Sequence, residues 1–226
     1  LVIAIEKTTN NIEAFSLGWA FGLGYFITSF SWIGEAFLVD AATFGIYMVP
    51  AIVSLASGFA IYLGLVTLLQ YILSKRISKL IPNHKTFRTI YNILLFSSLW
   101  TASEWLRGVL FTGFPWNPIA TVWVVVPEIL SAASYFGIYG LTLLTIISCS
   151  SISVLKNQGS WGRSLAILSV CQIPLILIFS AGSWQLINTK TTTVPNVVLR
   201  LIQPNIAQED KWKIELKNQN IFKQIK

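Results

Sequence analysis

Runs of apolar residues recur five times along this sequence, at about 15–33, 47–73, 90–110, 135–155 and 165–187. A helix rises about 1.5 Å per residue, so about 20 such residues cross the ~30 Å hydrocarbon layer of a bilayer with every backbone hydrogen bond made internally. Each run therefore predicts one spanning helix. Charge agrees: 11% of the 226 residues are charged, against about 25% in soluble domains, which leaves too little polar surface to face water on all sides. The predicted fold class is an all-α polytopic membrane bundle of about five transmembrane helices over residues 1–187.

Detail within the runs fits packed membrane helices. Gly18 and Gly22 form a small-xxx-small pair among Trp19, Phe21, Gly24 and Tyr25, and such pairs let helix backbones approach closely. Pro50 falls near a helix start, where a missing N–H costs little, and Pro174 inside the fifth run predicts a kink. A short helix from Glu128 is expected ahead of the fourth. Cys149 and Cys171 sit in apolar runs, with no Cys-x-x-Cys and a single histidine, His84. That pattern predicts small side chains packed between helices, with no metal site and no cofactor. The chain opens on Leu1 and its one methionine is Met48, so upstream residues or a removed leader are expected.

Orientation follows from where the basic residues fall. Lys75, Arg76, Lys79, Lys85 and Arg88 crowd the link after the second run, near Pro82 and His84, and Lys156 and Arg163 bound the link after the fourth. The link holding Glu35 and Asp40 carries no Lys or Arg. By the positive-inside rule the basic links are cytoplasmic, and alternation puts the links 34–46 and 111–127 and the tail on the outer side. The net charge of +7 is thus topological. No basic stripe with interleaved aromatics appears, so nucleic acid is not an expected partner.

After Ile187 the character changes. Beyond Pro195, Val197-Val198-Leu199-Arg200-Leu201-Ile202-Gln203 reads as a strand buried on both faces. The Lys-, Glu- and Asn-rich stretch from Gln208 reads as an exposed amphipathic helix. One strand and one helix make no stable domain, so residues 188–226 read as the start of a second one.

Two segments carry candidate chemistry. Trp100, Glu104, Arg107 and Phe111 are spaced four, three and four apart, so a helix would put them on one face. Ionisable residues in a membrane helix usually face protein or water and take a partner. Glu104 and Arg107 can pair with each other, with Arg107 snorkelling to the interface. Alternatively, Arg107 attracts a phospholipid phosphate or orients the following loop. That loop, Thr112-Gly113-Phe114-Pro115-Trp116, combines a glycine able to take positive φ, a stiffening proline and interfacial aromatics.

Taken together, Glu104-x-Leu106-Arg107-Gly108 with Thr112-Gly113-Phe114-Pro115-Trp116, then Gln203-Pro204-Asn205-Ile206 with Lys211-Trp212, resemble the signatures of apolipoprotein N-acyltransferases of bacterial inner membranes. The resemblance covers essentially the whole chain. It implies a multi-span domain followed by an extracytoplasmic, nitrilase-like α/β domain whose first strand and helix are residues 188–226. The implied reaction moves an acyl chain from a phospholipid, through a cysteine thioester, to the N-terminal diacylglyceryl-cysteine of an apolipoprotein. Phospholipid donor, apolipoprotein acceptor and membrane lipids are the implied partners. The implied Glu-Lys-Cys catalytic residues fall beyond Lys226, so these residues alone are expected to be silent. Neither Cys149 nor Cys171 can substitute, because neither has a base beside it. Glu104, Arg107, Phe114, Trp116 and Trp212 are the substrate-proximal candidates, while Gln203 and Asn205 are expected to fix a turn. The alternative is a transporter or non-enzymatic membrane scaffold. It lacks the internal repeat that transporters often show and gives the tail no role.

Overall fold

The computed structural model describes residues 1–80, 85–157, 160–189, 196–207, 210–211 and 213–225. Helices occupy all five apolar runs: α1 Asn11–Ser29, α2 Met48–Leu80, α3 Lys85–Val109, α4 Ala133–Ser151 and α5 Trp161–Asn188. A sixth, α6 Lys217–Ile225, lies in the tail. Three helical stretches, Ala41–Leu80, Ala133–Lys156 and Trp161–Asn188, are long and apolar enough to cross a membrane. The helix ends differ from the apolar boundaries. α2 runs on through Lys75, Arg76 and Lys79, because backbone hydrogen bonding continues where hydropathy stops.

The chain divides into two units, the first comprising Leu1–Ser29 and Leu55–Thr189. Within it, Asn10 Oδ1 accepts from the Glu13 amide at 2.9 Å, and Glu13 Oε2 accepts from the Thr9 amide and hydroxyl at 2.7 and 2.8 Å. This reciprocal cap starts α1 by satisfying orphan donors. The α1–α2 contact is set by the small residues. Thr67 Oγ1 donates to the Ala14 carbonyl at 2.7 Å, and a Cβ on Gly18 would collide with Thr67 and the Leu63 carbonyl. One on Gly22 would sit 3.1 Å from the Ala60 Cα, whereas Gly24 faces open space.

Polar side chains join other helices. Gln172 Nε2 on α5 donates to the Ser148 carbonyl and to Ser151 Oγ on α4, both at 3.1 Å, while Ser148 Oγ donates to Gln172 Oε1. Bonds of this kind tie membrane helices together. α5 passes so close to the four-residue helix Pro127–Leu130 that a side chain at Gly182 would strike the Glu128 carbonyl. Ala120, Ile129, Leu141 and Leu175 form the small core between these elements. Val170, Ile176 and Leu177 on α5 are exposed, the arrangement expected of a helix that meets lipid. Cys149 is also exposed and Cys171 half-buried. The expectation that both cysteines pack between helices therefore fails for Cys149, which lies on an outward face of α4.

The second unit comprises Phe30–Ser54 and Lys190–Lys226. A 3-10 stretch, Ser31–Leu38, leads to the short helix Ala41–Phe44, where Asp40 Oδ1 accepts from the Thr43 amide at 3.2 Å. The expected strand at Val197–Gln203 is not formed. Residues 197–207 take no regular structure, and Leu201 is 97% exposed. A strand persists only when its N–H and C=O groups meet a neighbouring strand, and the described residues offer none. The tail does contain helix, beginning at the turn Ile214–Leu216 and continuing through α6. There Asn220 Nδ2 donates to the Asp210 carbonyl at 3.0 Å, and Lys213 pairs with Asp210 at 2.8 Å. Pro82, His84, Pro195, Gln208 and Trp212 lie outside the described residues.

Candidate functional site

Near its C-terminal end, α3 turns Trp100, Glu104 and Arg107 to its buried side, as the four-and-three spacing requires. Glu104 is 5% exposed and Arg107 3%. The pairing expected between them is absent: no ion pair joins them, and each holds other groups. Glu104 Oε1 accepts from Trp100 Nε1 at 3.0 Å and from the Ile119 amide at 2.8 Å, and Oε2 accepts from Thr142 Oγ1 at 2.9 Å. One carboxylate thereby fastens α3 to the far end of the loop and to α4. Three donors around a buried carboxylate also offset the cost of removing it from water.

Arg107 does the same for the middle of the loop. Its Nη1 donates to the Phe114 and Trp116 carbonyls at 3.3 and 2.5 Å, and Nη2 to the Asn117 carbonyl at 3.5 Å. The guanidinium also lies 5.6 Å from the centre of the Phe26 ring on α1, a cation–π distance. A rigid fork of donors can reach several carbonyls at once in a way a single ammonium cannot. Snorkelling to the interface is not what this side chain does, because its charged end turns inward to backbone.

The loop between these anchors reverses sharply. α3 ends at Val109, and Phe111, Thr112 and Gly113 take φ of 50, 73 and 85°. Phe111 is therefore off the shared helix face on which spacing placed it, and it is 91% exposed. Positive φ is costly for Phe and Thr and natural for Gly113, where a side chain would also collide with the Gly108 carbonyl. Gly108 is small for another reason: a Cβ there would lie 2.6 Å from the Tyr139 hydroxyl. The Phe114 amide returns to the Arg107 carbonyl at 2.7 Å and closes the turn.

Asn117, also at positive φ (54°), ties the loop to α1. Its Nδ2 donates to the Ser29 carbonyl at 2.6 Å, and its own carbonyl accepts from the Tyr25 hydroxyl at 3.2 Å. The Phe114 ring packs 4.9 Å from that of Phe59 on α2, and Trp116 stands 58% exposed. The site therefore collects Glu104, Arg107, Phe114 and Trp116, all anticipated from sequence. It also uses Tyr25, Asn117 and Thr142, which were not. Trp212 is not among the described residues. Asn205 takes φ of 47°, as a turn-forming asparagine does. Among the described residues no three His, Cys, Asp or Glu converge to hold a metal.

This geometry gives Glu104, Arg107, Gly108, Gly113 and Phe114 of the signature a physical task, and comparison with known proteins matches the same segment. Residues 1–151 match the family described as the apolipoprotein N-acyltransferase N-terminal domain. The chain belongs to this family. Proteins named apolipoprotein N-acyltransferase are similar to it in Caulobacter vibrioides, 35% identical over 204 residues, and in Rhodopseudomonas palustris, 37% identical over 201. These matches cover 90% and 88% of this chain and 35% of each relative. One from Rickettsia prowazekii is 29% identical over 218 residues, covering 95% of this chain and 40% of the relative. The chain thus spans little more than a third of the length of the relatives it matches. A transporter or scaffold is not favoured by these findings.

Proposed function

We propose that this chain is the membrane part of an apolipoprotein N-acyltransferase, and that the clamped loop 111–119 forms the outer-side platform on which lipid substrates meet the catalytic domain. The observation that carries the reading is the paired clamp. Two buried, oppositely charged residues one turn apart bind loop backbone from Phe114 to Ile119. In doing so they leave the Trp116 side chain outward. A loop this heavily fastened, with backbone strain at Phe111 and Thr112, is shaped for a task.

On this reading α1 and α3 cross the bilayer beside the three more apolar stretches, and the basic links face the cytoplasm of a bacterial inner membrane. The loop 111–127 and the tail then lie on the periplasmic side, and residues 188–226 begin a nitrilase-like domain. A cysteine thiolate of that domain attacks the ester carbonyl of a phospholipid and releases a lysophospholipid. The α-amine of the diacylglyceryl-cysteine then attacks the thioester, forms an amide and returns the thiol. Both substrates are lipids and the thioester must be kept from water, which suits a site at the edge of a membrane bundle. No cofactor takes part. Phe114 and Trp116 lie beside the acyl chains.

The test grafts residues 1–226 in place of the matching segment of the Caulobacter vibrioides relative. N-acylation of a diacylglyceryl peptide is then followed by mass spectrometry. The graft should transfer acyl chains, and residues 1–226 alone should not. Trp116→Ala in the graft should lower turnover about tenfold, the scale of a positioning contact worth ~1.4 kcal/mol. A graft that inserts and folds but transfers nothing would overturn the assignment. An unchanged rate for Trp116→Ala would remove the substrate role of the loop.

A further inference from the structure

The loop carries a third fastening, which Glu104 and Arg107 do not supply. Asn117 lies between the exposed Trp116 and Pro118. A residue before proline ordinarily takes an extended conformation, because the proline ring crowds its backbone. Asn117 instead has φ of 54°. Asparagine tolerates that region better than most residues, yet the conformation persists only where its surroundings hold it.

Three bonds do so, from two helices. Asn117 Nδ2 donates to the Ser29 carbonyl at 2.6 Å. Ser29 is the last residue of α1, where helical carbonyls lack partners in their own helix, so the amide caps α1 from outside. The Asn117 carbonyl accepts from the Tyr25 hydroxyl at 3.2 Å, one turn back along α1, and from Arg107 Nη2 at 3.5 Å. Tyr25 is itself braced: its ring lies edge-on 5.8 Å from that of Trp100, whose Nε1 donates to Glu104.

The consequence falls on Trp116. Arg107 gathers the carbonyls of Phe114, Trp116 and Asn117 on one guanidinium. A segment held at a single hub can still swing about it. The bond from Asn117 Nδ2 to Ser29 adds a fixed point on another helix, one residue from Trp116 and joined to it by a planar peptide.

We infer that Asn117 is a positioning residue for acyl transfer, which sets the direction in which Trp116 faces the lipid substrates by pinning the loop to the end of α1. This rests on the reading of the loop as the substrate platform. The amide, and not the backbone angle alone, carries the role. Glycine, which takes positive φ freely, therefore does not replace asparagine.

The direction of the indole is read first, without activity. The 226-residue chain is labelled with 5-fluorotryptophan in detergent and observed by fluorine NMR, and Trp116→Phe assigns one line among the nine tryptophans. In Asn117→Gly that line should shift or broaden, while those of Trp19 and Trp161 stay in place and show an intact bundle. Tyr25→Phe should move it less. In the graft, Asn117→Gly should lower turnover about three- to tenfold, the scale of one orienting hydrogen bond. Trp116→Ala/Asn117→Gly should be no slower than Trp116→Ala, because a residue that acts through Trp116 then has nothing left to position. An unmoved Trp116 line would overturn the inference, as would the full cost of Asn117→Gly persisting beside Trp116→Ala. A moved line with unchanged turnover would leave Asn117 a loop anchor and overturn its part in the reaction. A graft without activity would count against the acyltransferase assignment, and the fluorine line would still decide whether Asn117 aims Trp116.

Discussion

Replacing Arg107 with methionine keeps the length of the side chain and removes its donors, so it isolates the grip on the loop. Its Nη1 reaches the Trp116 and Phe114 carbonyls at 2.5 and 3.3 Å, and the third bond at 3.5 Å sits at the limit of one. Bonds from a charged donor are worth about 1.5–3 kcal/mol each, so two amount to roughly 3–6 kcal/mol. Burying methionine removes the desolvation cost of a guanidinium, which returns part of this and leaves about 2–4 kcal/mol. At 1.4 kcal/mol per factor of ten, the loop should open about 30- to 1000-fold more often. The readout is hydrogen exchange at the Phe114 amide, which is bonded to the Arg107 carbonyl in the closed loop. Amides of α5 should keep their protection, showing that the bundle persists. Arg107→Lys should fall between, because an ammonium keeps the charge and its donors but gathers them on one atom, without the fork that spans carbonyls of three residues. Exchange at Phe114 within threefold of the parent, in a folded Arg107→Met protein, would refute the idea that this residue holds the loop.

Other substitutions probe separate parts of the structure. Gly18→Ala should lower the thermal midpoint measurably, by the ~1–3 kcal/mol of an overpacked contact against Thr67 and the Leu63 carbonyl, while Gly24→Ala on the same helix should be silent. Comparable midpoints for the two would show that the α1–α2 approach is not tight. Thr142→Val removes one of three donors to Glu104 and should cost about 1 kcal/mol in chemical denaturation. Acid should loosen the start of α1. The amide and hydroxyl of Thr9 hold the Glu13 carboxyl below the usual carboxylate range, so its contribution is present above that range and lost as pH falls through the lowered value. Exchange at residues 9–13 should rise on acidification, and Glu13→Gln should abolish the pH dependence.

The positions of the five helices were legible in hydropathy, because the same apolar surface that partitions into lipid also marks the middle of a helix. Their ends were not. α2 continues about two turns past Leu73 through basic residues, since nothing in charge prevents a helix from continuing. Glu104 and Arg107 were legible as a buried face, yet their partners were not. Sequence spacing brings the nearest opposite charge to mind, whereas the structure supplies Ile119 N–H and three carbonyls from a loop that folds back. Backbone atoms belong to every residue and leave no trace in composition. Asn117 did carry a signal, as an asparagine before Pro118 in a loop where a positive φ is tolerated. Gln70 carried one as well, since an amide in an apolar run seeks a partner, and its Nε2 donates to the Asn92 carbonyl at 3.1 Å.

Both anchors of the loop act on its main chain: Arg107 takes carbonyls and Glu104 takes an amide. Shape is therefore specified without reference to which side chains the loop bears at 114 and 116. Substitutions at those two positions would leave the hydrogen bonds that hold the loop in place, and so the scaffold that presents them. The clamp separates holding the loop from what the loop presents, so its surface can change without rebuilding the bundle beneath.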